Sequence, residues 1–285
     1  MSESRSLDGK TLLISGGSRG IGLAIALRAA RDGANVALIA KTDQPHPKLE
    51  GTIHTAAEQI EDAGGRALAI VGDIRDEGRV ADAVAETVRH FGGIDITVNN
   101  ASAINLTGTG QTDMKRYDLM QDINTRGTFV LSKLTVPHLR EAENPHVLTL
   151  SPPLSLEARW AKDHVAYTIA KYGMSLCTLG MSEEFRGEGI AFNSLWPRTL
   201  VATAAVQNLL GGDAAMARSR TPEIMSDAAH AILTRPSREC TGNFFLAEDV
   251  LVEEGVTDFE PYAAAPGADP AVDLYVDEVN PPGIG

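Results

Sequence analysis

Tyr167 and Lys171 stand four residues apart in a stretch of helical period, which puts a phenol and an ammonium on one face, one turn apart. A free phenol ionises near pH ~10, and an adjacent ammonium favours the phenolate, so the pair predicts a tyrosine able to exchange a proton near neutrality. A second signature lies near the start of the chain, where Ser15-Gly16-Gly17-Ser18-Arg19-Gly20-Ile21-Gly22 follows a short apolar run and opens an apolar helix. Glycines at such a junction let backbone approach a pyrophosphate, and the helix start offers unpaired N–H groups and a positive dipole end. The run therefore predicts a dinucleotide site with Gly16, Ser18, Arg19, Gly20, Ile21 and Gly22 around the phosphates. The next apolar run ends in Ala40-Lys41-Thr42, where an NAD-selective site keeps a carboxylate for the ribose 2′-hydroxyl. Lys41, with Arg19 and Ser18, suits the extra phosphate of NADP instead; the alternative is a solvated surface lysine and a site for NAD.

These groups need a frame, and the sequence supplies one. Short apolar runs at 11–15, 35–40, 67–71, 94–99, 146–151, 190–195 and 243–246 predict strands. Between them, 21–32, 52–63, 76–91, 115–140 and 163–186 carry apolar residues at helical spacing, closed by Gly33, Gly64, Gly92 and Gly189. Strand and helix in alternation predict an α/β fold, a Rossmann-type doubly wound parallel sheet of about seven strands with helices on both faces. One catalytic domain is expected over 1–285. From about Asp249 it continues as an acidic extension in which Pro261, Pro266, Pro270, Pro281 and Pro282 forbid a long helix or central strand.

Composition removes several function classes. A formal charge of −13 repels nucleic-acid phosphates and anionic lipid surfaces. The polar start at 1–10 and the lack of any apolar run near ~18 residues argue against secretion and membrane insertion. Pro282-Gly283-Ile284-Gly285 matches no organelle address. Cys177 and Cys240 fit no disulfide or redox spacing, and the seven histidines fit no ligand pattern, so no metal is expected and a reducing, cytoplasmic home is.

The glycine loop, Asn99-Asn100-Ala101-Ser102, Asn124 and Tyr167-x-x-x-Lys171 occur in an order and spacing that resembles the short-chain dehydrogenase/reductase family. More narrowly, Ala40-Lys41-Thr42, Pro45-His46-Pro47-Lys48-Leu49, Ser151-Pro152-Pro153-Leu154, 166–173 and Trp196-Pro197-Arg198-Thr199 resemble its hydroxysteroid dehydrogenase-like protein 2 group, from about Leu7 to about Gly267. Larger members of that group append a sterol-carrier domain for which this sequence has no room. The resemblance implies that Asp73 contacts adenine, that Asn99, Asn100 and Ala101 form the cofactor wall, and that Lys171 also holds the nicotinamide ribose. It further implies that Asn124 anchors a water linking Lys171 to solvent. Two departures stand out. The serine that most members carry after the fifth strand falls on Pro152, which leaves Ser151 as the favoured carbonyl-polarising hydroxyl and Ser155 as the alternative. Where the family has Pro-Gly, this chain has Pro197-Arg198, so Arg198 crowds the nicotinamide segment or recognises an anion, and Thr199 is the nearest candidate for a nicotinamide contact.

The expected activity is an NADP(H)-dependent interconversion of an alcohol and a carbonyl, with NAD possible as cofactor. Tyr167 moves the proton, Ser151 steadies the developing charge, and Lys171 with Asn124 reloads the phenol. Segments 105–111, 154–163 and 200–217 are expected at the substrate side, where Leu154, Leu156, Trp160, Leu200, Val201, Leu209 and Leu210 suggest a lipid-like or terpenoid substrate. Three rivals remain at this point: an NADP-binding sensor without turnover, a reductase of conjugated double bonds, and a structural role through helix 163–186. That helix often packs in family dimers and tetramers, so a homodimer or homotetramer is expected.

Overall fold

Seven runs of aliphatic and β-branched residues form the strands of one sheet: β1 (Thr11–Ser15), β2 (Asn35–Ala40), β3 (Arg66–Val71), β4 (Ile96–Asn99), β5 (His146–Thr149), β6 (Ala191–Trp196) and β7 (Phe244–Leu246). The computed structural model describes residues 5–45, 50–279 and 281. His46, Pro47, Lys48 and Leu49, part of one motif noted above, lie outside the described residues, as do 1–4 and the terminal Pro282-Gly283-Ile284-Gly285. All pairings are parallel, in the order β3-β2-β1-β4-β5-β6-β7. The strands lack polar alternation because both faces are covered: Leu12 and Ile14 join one core cluster while Leu13 joins the other.

The helices α1 (Gly20–Ala30), α2 (Ile53–Asp62), α3 (Glu77–Phe91) and α6 (Val165–Glu184) match the expected segments to within about two residues at each end. The segment expected as one helix over 115–140 is instead α4 (Met114–Met120) and α5 (Gly127–Leu139), joined by a π-helical turn over Gln121–Arg126. Four further helices were not legible: α7 (Ala204–Leu209), α8 (Gly212–Ala217), α9 (Glu223–Leu233) and α10 (Ala247–Glu253). Ile224, Met225, Ala228, Ala229 and Ile232 seal α9 into the same cluster as Ile25, Ala26 and Ala29 of α1. No helix of the described residues is long and apolar enough to cross a membrane, and none of their acidic, histidine or cysteine side chains group as metal ligands.

The order of strands reverses between β1 and β4, which opens a crevice at their carboxyl ends. Register carries the site residues there together. Ile39, Ser15, Asn99, Thr149 and Ser194 form one row across β2, β1, β4, β5 and β6. Ala40, Gly16, Asn100 and Leu150 therefore follow side by side, with Lys41 one residue further along the chain from β2.

Candidate active site

The glycine loop bends where only glycine fits. Gly16 has φ +71°, and a Cβ there would lie 2.9 Å from the Ala101 Cα; a Cβ on Gly22 would lie 2.5 Å from Asn100 Nδ2. Asn100 fastens the two loops by donating from Nδ2 to the carbonyls of Ser15 and Gly16 at 3.0 and 2.9 Å. Ser15 Oγ accepts from the backbone N–H groups of Asn100 and Ala101, both at 3.1 Å. Arg19, at the N-cap of α1, makes no side-chain cap, so the first N–H groups of the helix stay available to an anion.

A cavity of about 640 Å³ starts at this loop and runs to α6. Of the residues predicted to bind cofactor, Gly16, Ser18, Arg19, Gly20, Ile21, Lys41, Asp73, Asn100, Ala101, Tyr167 and Lys171 line it. Gly22 lies beneath the loop instead, in the space that Asn100 needs. Arg19 gives its guanidinium to the carbonyls of Glu50 and Gly51 at 2.9 and 2.8 Å. Lys41 is more than half exposed and stands 3.6 Å from Asp73. Arg75 grips Asp73 at 2.6 Å and, with Lys41 helping, holds that carboxyl down at about 2. A glycine cradle with no room for a Cβ, a helix start with open donors, and a cavity reaching the Tyr–Lys pair fit a nicotinamide dinucleotide.

At the far end, Tyr167 and Lys171 project from α6 and are buried. Lys171 Nζ donates to the Leu150 carbonyl at 2.9 Å and lies 5.2 Å above the Trp196 ring. Burial lowers the ammonium to about 7. The expected lowering of Tyr167 is not found: burial pushes the phenol well above its ordinary value, with Tyr275 and Asp273 adding to the rise.

Three predicted residues sit away from the cavity. Ser151 is fully buried, its Oγ 2.9 Å from Ser194 Oγ, which in turn donates to Thr178 Oγ1 at 2.9 Å. The strand ends at Thr149, so the hydroxyl expected at its rim turns into the packing between β5, β6 and α6. Thr199 is fully buried and donates to Glu248 at 3.2 Å. Asn124, within the π turn, spends its amide on Ala103, accepting from its N–H at 2.7 Å and donating to its carbonyl at 3.0 Å. Arg198 neither crowds the cavity nor faces an anion within it, because Asp249 holds its guanidinium at 2.7 and 2.9 Å. Ser155, Leu154, Leu156, Trp160 and Leu200 are also not among the lining residues, whereas Val201, Leu209 and Leu210 are.

The sequence missed Thr203, whose methyl would lie 3.4 Å from a Cβ on Gly20, so the segment after β6 closes over the glycine loop. It also missed Glu248, fully buried, which receives the Arg198 backbone N–H at 2.8 Å and so shapes that segment. Asp273, Leu274 and Tyr275 were missed as well; the first two line the cavity and the third packs with Tyr167. None of these carries a local motif.

Fold and site together define a nicotinamide-dependent oxidoreductase of the α/β type. The family model for short chain dehydrogenase matches residues 10–212, and the chain belongs to the short-chain dehydrogenase/reductase family. It is 58% identical over 271 residues to hydroxysteroid dehydrogenase-like protein 2 of Danio rerio, covering 95% of this chain and 65% of that protein. The chain thus spans somewhat under two thirds of the length of that relative. A solved short chain dehydrogenase from Mycobacterium thermoresistibile shares 62% identity and a TM-score of 0.93, over 98% of this chain and 99% of that one. A solved dehydrogenase from Xanthomonas campestris shares 56% identity and the same TM-score of 0.93, over 96% and 100%.

Proposed function

We propose that the chain is one catalytic unit that interconverts an alcohol and a carbonyl with NADP(H), on a substrate that is mainly apolar. The observation that carries this reading is the continuity of one cavity from the glycine loop to Tyr167 and Lys171. Gly16, Ser18, Gly20, Ile21, Asn100 and Ala101 would hold the dinucleotide, Asp73 its adenine and Lys171 the ribose near the reacting ring. Lys41, exposed at the adenosine end, is the group that favours NADP over NAD. When bound, the cofactor supplies or accepts the hydride.

The chain's own task is the proton. Burial raises the Tyr167 phenol, which favours its protonated form, the form that protonates a carbonyl oxygen in the reducing direction. Lys171, brought to about 7, can pass a proton to the phenolate that results. With Ser151 turned into the core, we assign it no part in polarising the carbonyl. Asn124 positions residues 101–103 by clamping Ala103. Ile21, Ile104, Val201, Val206, Leu209 and Leu274 supply apolar wall, which supports a lipid-like or terpenoid substrate.

NADPH and NADH oxidation against aliphatic, terpenoid and steroid carbonyls tests the proposal, with Tyr167→Phe beside the native protein. The expected result is turnover that prefers NADPH and falls roughly 100- to 10,000-fold in the variant, with NADPH affinity retained. Tight NADPH binding without turnover would favour the second reading, a cofactor-binding sensor, to which the buried Ser151 lends support. Exposed Phe129 on α5 and Ile169, Leu176 and Leu179 on α6 support a homo-oligomer, which a monomeric mass by light scattering would remove. The free Cys177 and Cys240 support a reducing, cytoplasmic setting.

A further inference from the structure

The residues after α10 return across the crevice and place a carboxylate inside it. Asp273 lines the cavity together with Tyr167, Lys171, Leu150 and Trp196. Its backbone is fixed from both sides: the Asp273 N–H donates to the Arg198 carbonyl at 2.9 Å, and the Leu200 N–H donates to the Ala271 carbonyl at 2.9 Å. Trp196 Nε1 holds the next carbonyl, that of Leu274, at 2.8 Å. Tyr275 then locks the strap. Its hydroxyl pairs with Thr168 Oγ1 at 3.0 Å, and its ring sits among Trp160, His164, Tyr172 and Trp196. Tyr275 has φ +70°, the one positive value on a non-glycine residue among those described, so this packing holds a strained turn in place.

The Asp273 side chain is under-used for such a fixed group. Among the described residues its carboxylate receives one hydrogen bond, from the adjacent Leu274 N–H at 2.6 Å, although it faces an otherwise mainly apolar space. A carboxylate in apolar surroundings is unfavourable unless something donates to it. Burial pushes this carboxyl up to about 7, with Lys171 opposing the rise and Glu248 adding to it.

We propose that Asp273 is a specificity-determining residue that accepts a hydrogen bond from a hydroxyl on the substrate, close to the carbon that reacts. This rests on the carbonyl-reduction reading above and narrows its substrate class to apolar compounds bearing a hydroxyl beside the carbonyl. The proximity of the two functions follows from the cavity: Asp273 and Tyr167 line the same end of it, with Lys171 and Trp196, so a substrate oxygen held at Tyr167 leaves a neighbouring hydroxyl within this carboxylate's side of the space.

The chain has two tryptophans, Trp160 and Trp196; Trp196 lines the cavity and Trp160 packs on Tyr275, so intrinsic fluorescence reports occupancy without turnover. Benzoin against deoxybenzoin, and acetoin against butanone, are titrated into the NADPH-loaded protein as pairs that differ in one hydroxyl. At pH 8, where the carboxyl is mostly ionised, the native protein is expected to bind the hydroxylated member of at least one pair about tenfold more tightly or better, as a hydrogen bond to a charged acceptor implies. Asp273→Leu is expected to erase that preference while leaving the plain ketone bound as before. Asp273→Asn, whose amide oxygen still accepts, is expected to keep part of it and serves as the control for a disturbed strap. Equal affinity for both members in the native protein overturns the proposal, as does an undiminished preference in Asp273→Leu or a parallel loss for both members. A weakening of NADPH binding in the variants would assign the carboxylate to the cofactor instead and also overturn it. Preference with no NADPH oxidation would remove the reductase reading and leave this one standing.

Discussion

The two ends of the cavity are built by opposite means. At the glycine loop the surface is backbone: Gly16 and Gly22 leave no space for a Cβ, and Asn100 ties one loop to the next through main-chain carbonyls. At the catalytic end the surface is side chain: Tyr167 and Lys171 come from α6, Trp196 from β6, and Asp273 and Leu274 from a segment more than seventy positions further along the chain than Trp196. Backbone recognition suits a ligand part that does not vary, such as a pyrophosphate, and leaves a short sequence signature. Side-chain recognition suits the variable part, and its components need only meet in space.

That contrast can be broken by substitution at each end. The largest effect is expected for Gly16→Val. Its branched side chain meets Ala101 at a positive φ, so NADPH affinity should fall roughly 100-fold while the sheet still forms, as followed by titration and circular dichroism. An unchanged affinity would mean that the loop is not the phosphate site. Tyr275→Ala comes next: it unlocks the strap without touching the loop, so KM for the carbonyl should rise roughly tenfold at constant NADPH affinity. If both constants moved together, the two ends would not be separable.

Asp273→Asn should change stability rather than cofactor binding. The native carboxyl, raised to about 7 from an ordinary aspartate value, favours its protonated form, so its contribution to stability falls as pH rises toward 7 and stays lost above it. Lys171, Glu248, Tyr167 and Tyr275 are the titratable groups around it. Lys171, itself lowered to about 7, is common to both proteins. An asparagine cannot ionise. Calorimetry should therefore show a Tm advantage for the variant of roughly 2–4 °C at pH 8 that shrinks at pH 5. An advantage that grew with acidity would contradict the burial of this carboxyl. The smallest effect is expected for Ser151→Ala: a turnover change within about threefold, with about 1 kcal/mol of stability lost as the Ser194 contact goes. A fall of two orders of magnitude would restore Ser151 to the chemistry.

Ser151 also shows how a motif can mislead. Its position near a strand end predicted a hydroxyl at the crevice, yet the strand stops at Thr149 and the next turn points Ser151 inward. Thr199 and Arg198 fail for a related reason. The buried carboxylate of Glu248, on a helix that local pattern did not reveal, draws both toward the core side of their segment. Asp249, the next residue on that helix, completes the capture of Arg198.

What the sequence by itself determined was the alternation of strands and helices, the place of the glycine loop, and the pairing of Tyr167 with Lys171. Each depends on residues within a turn or two of one another, where periodicity and glycine's freedom at φ act directly. Only the tertiary structure decided that Thr203 closes over Gly20, that Ser151 faces Ser194, that burial raises the Tyr167 phenol, and that Asp273 enters the cavity. Those outcomes come from packing between segments far apart in the chain, where burial and the demand of each buried polar group for a partner choose among conformations that local sequence leaves open.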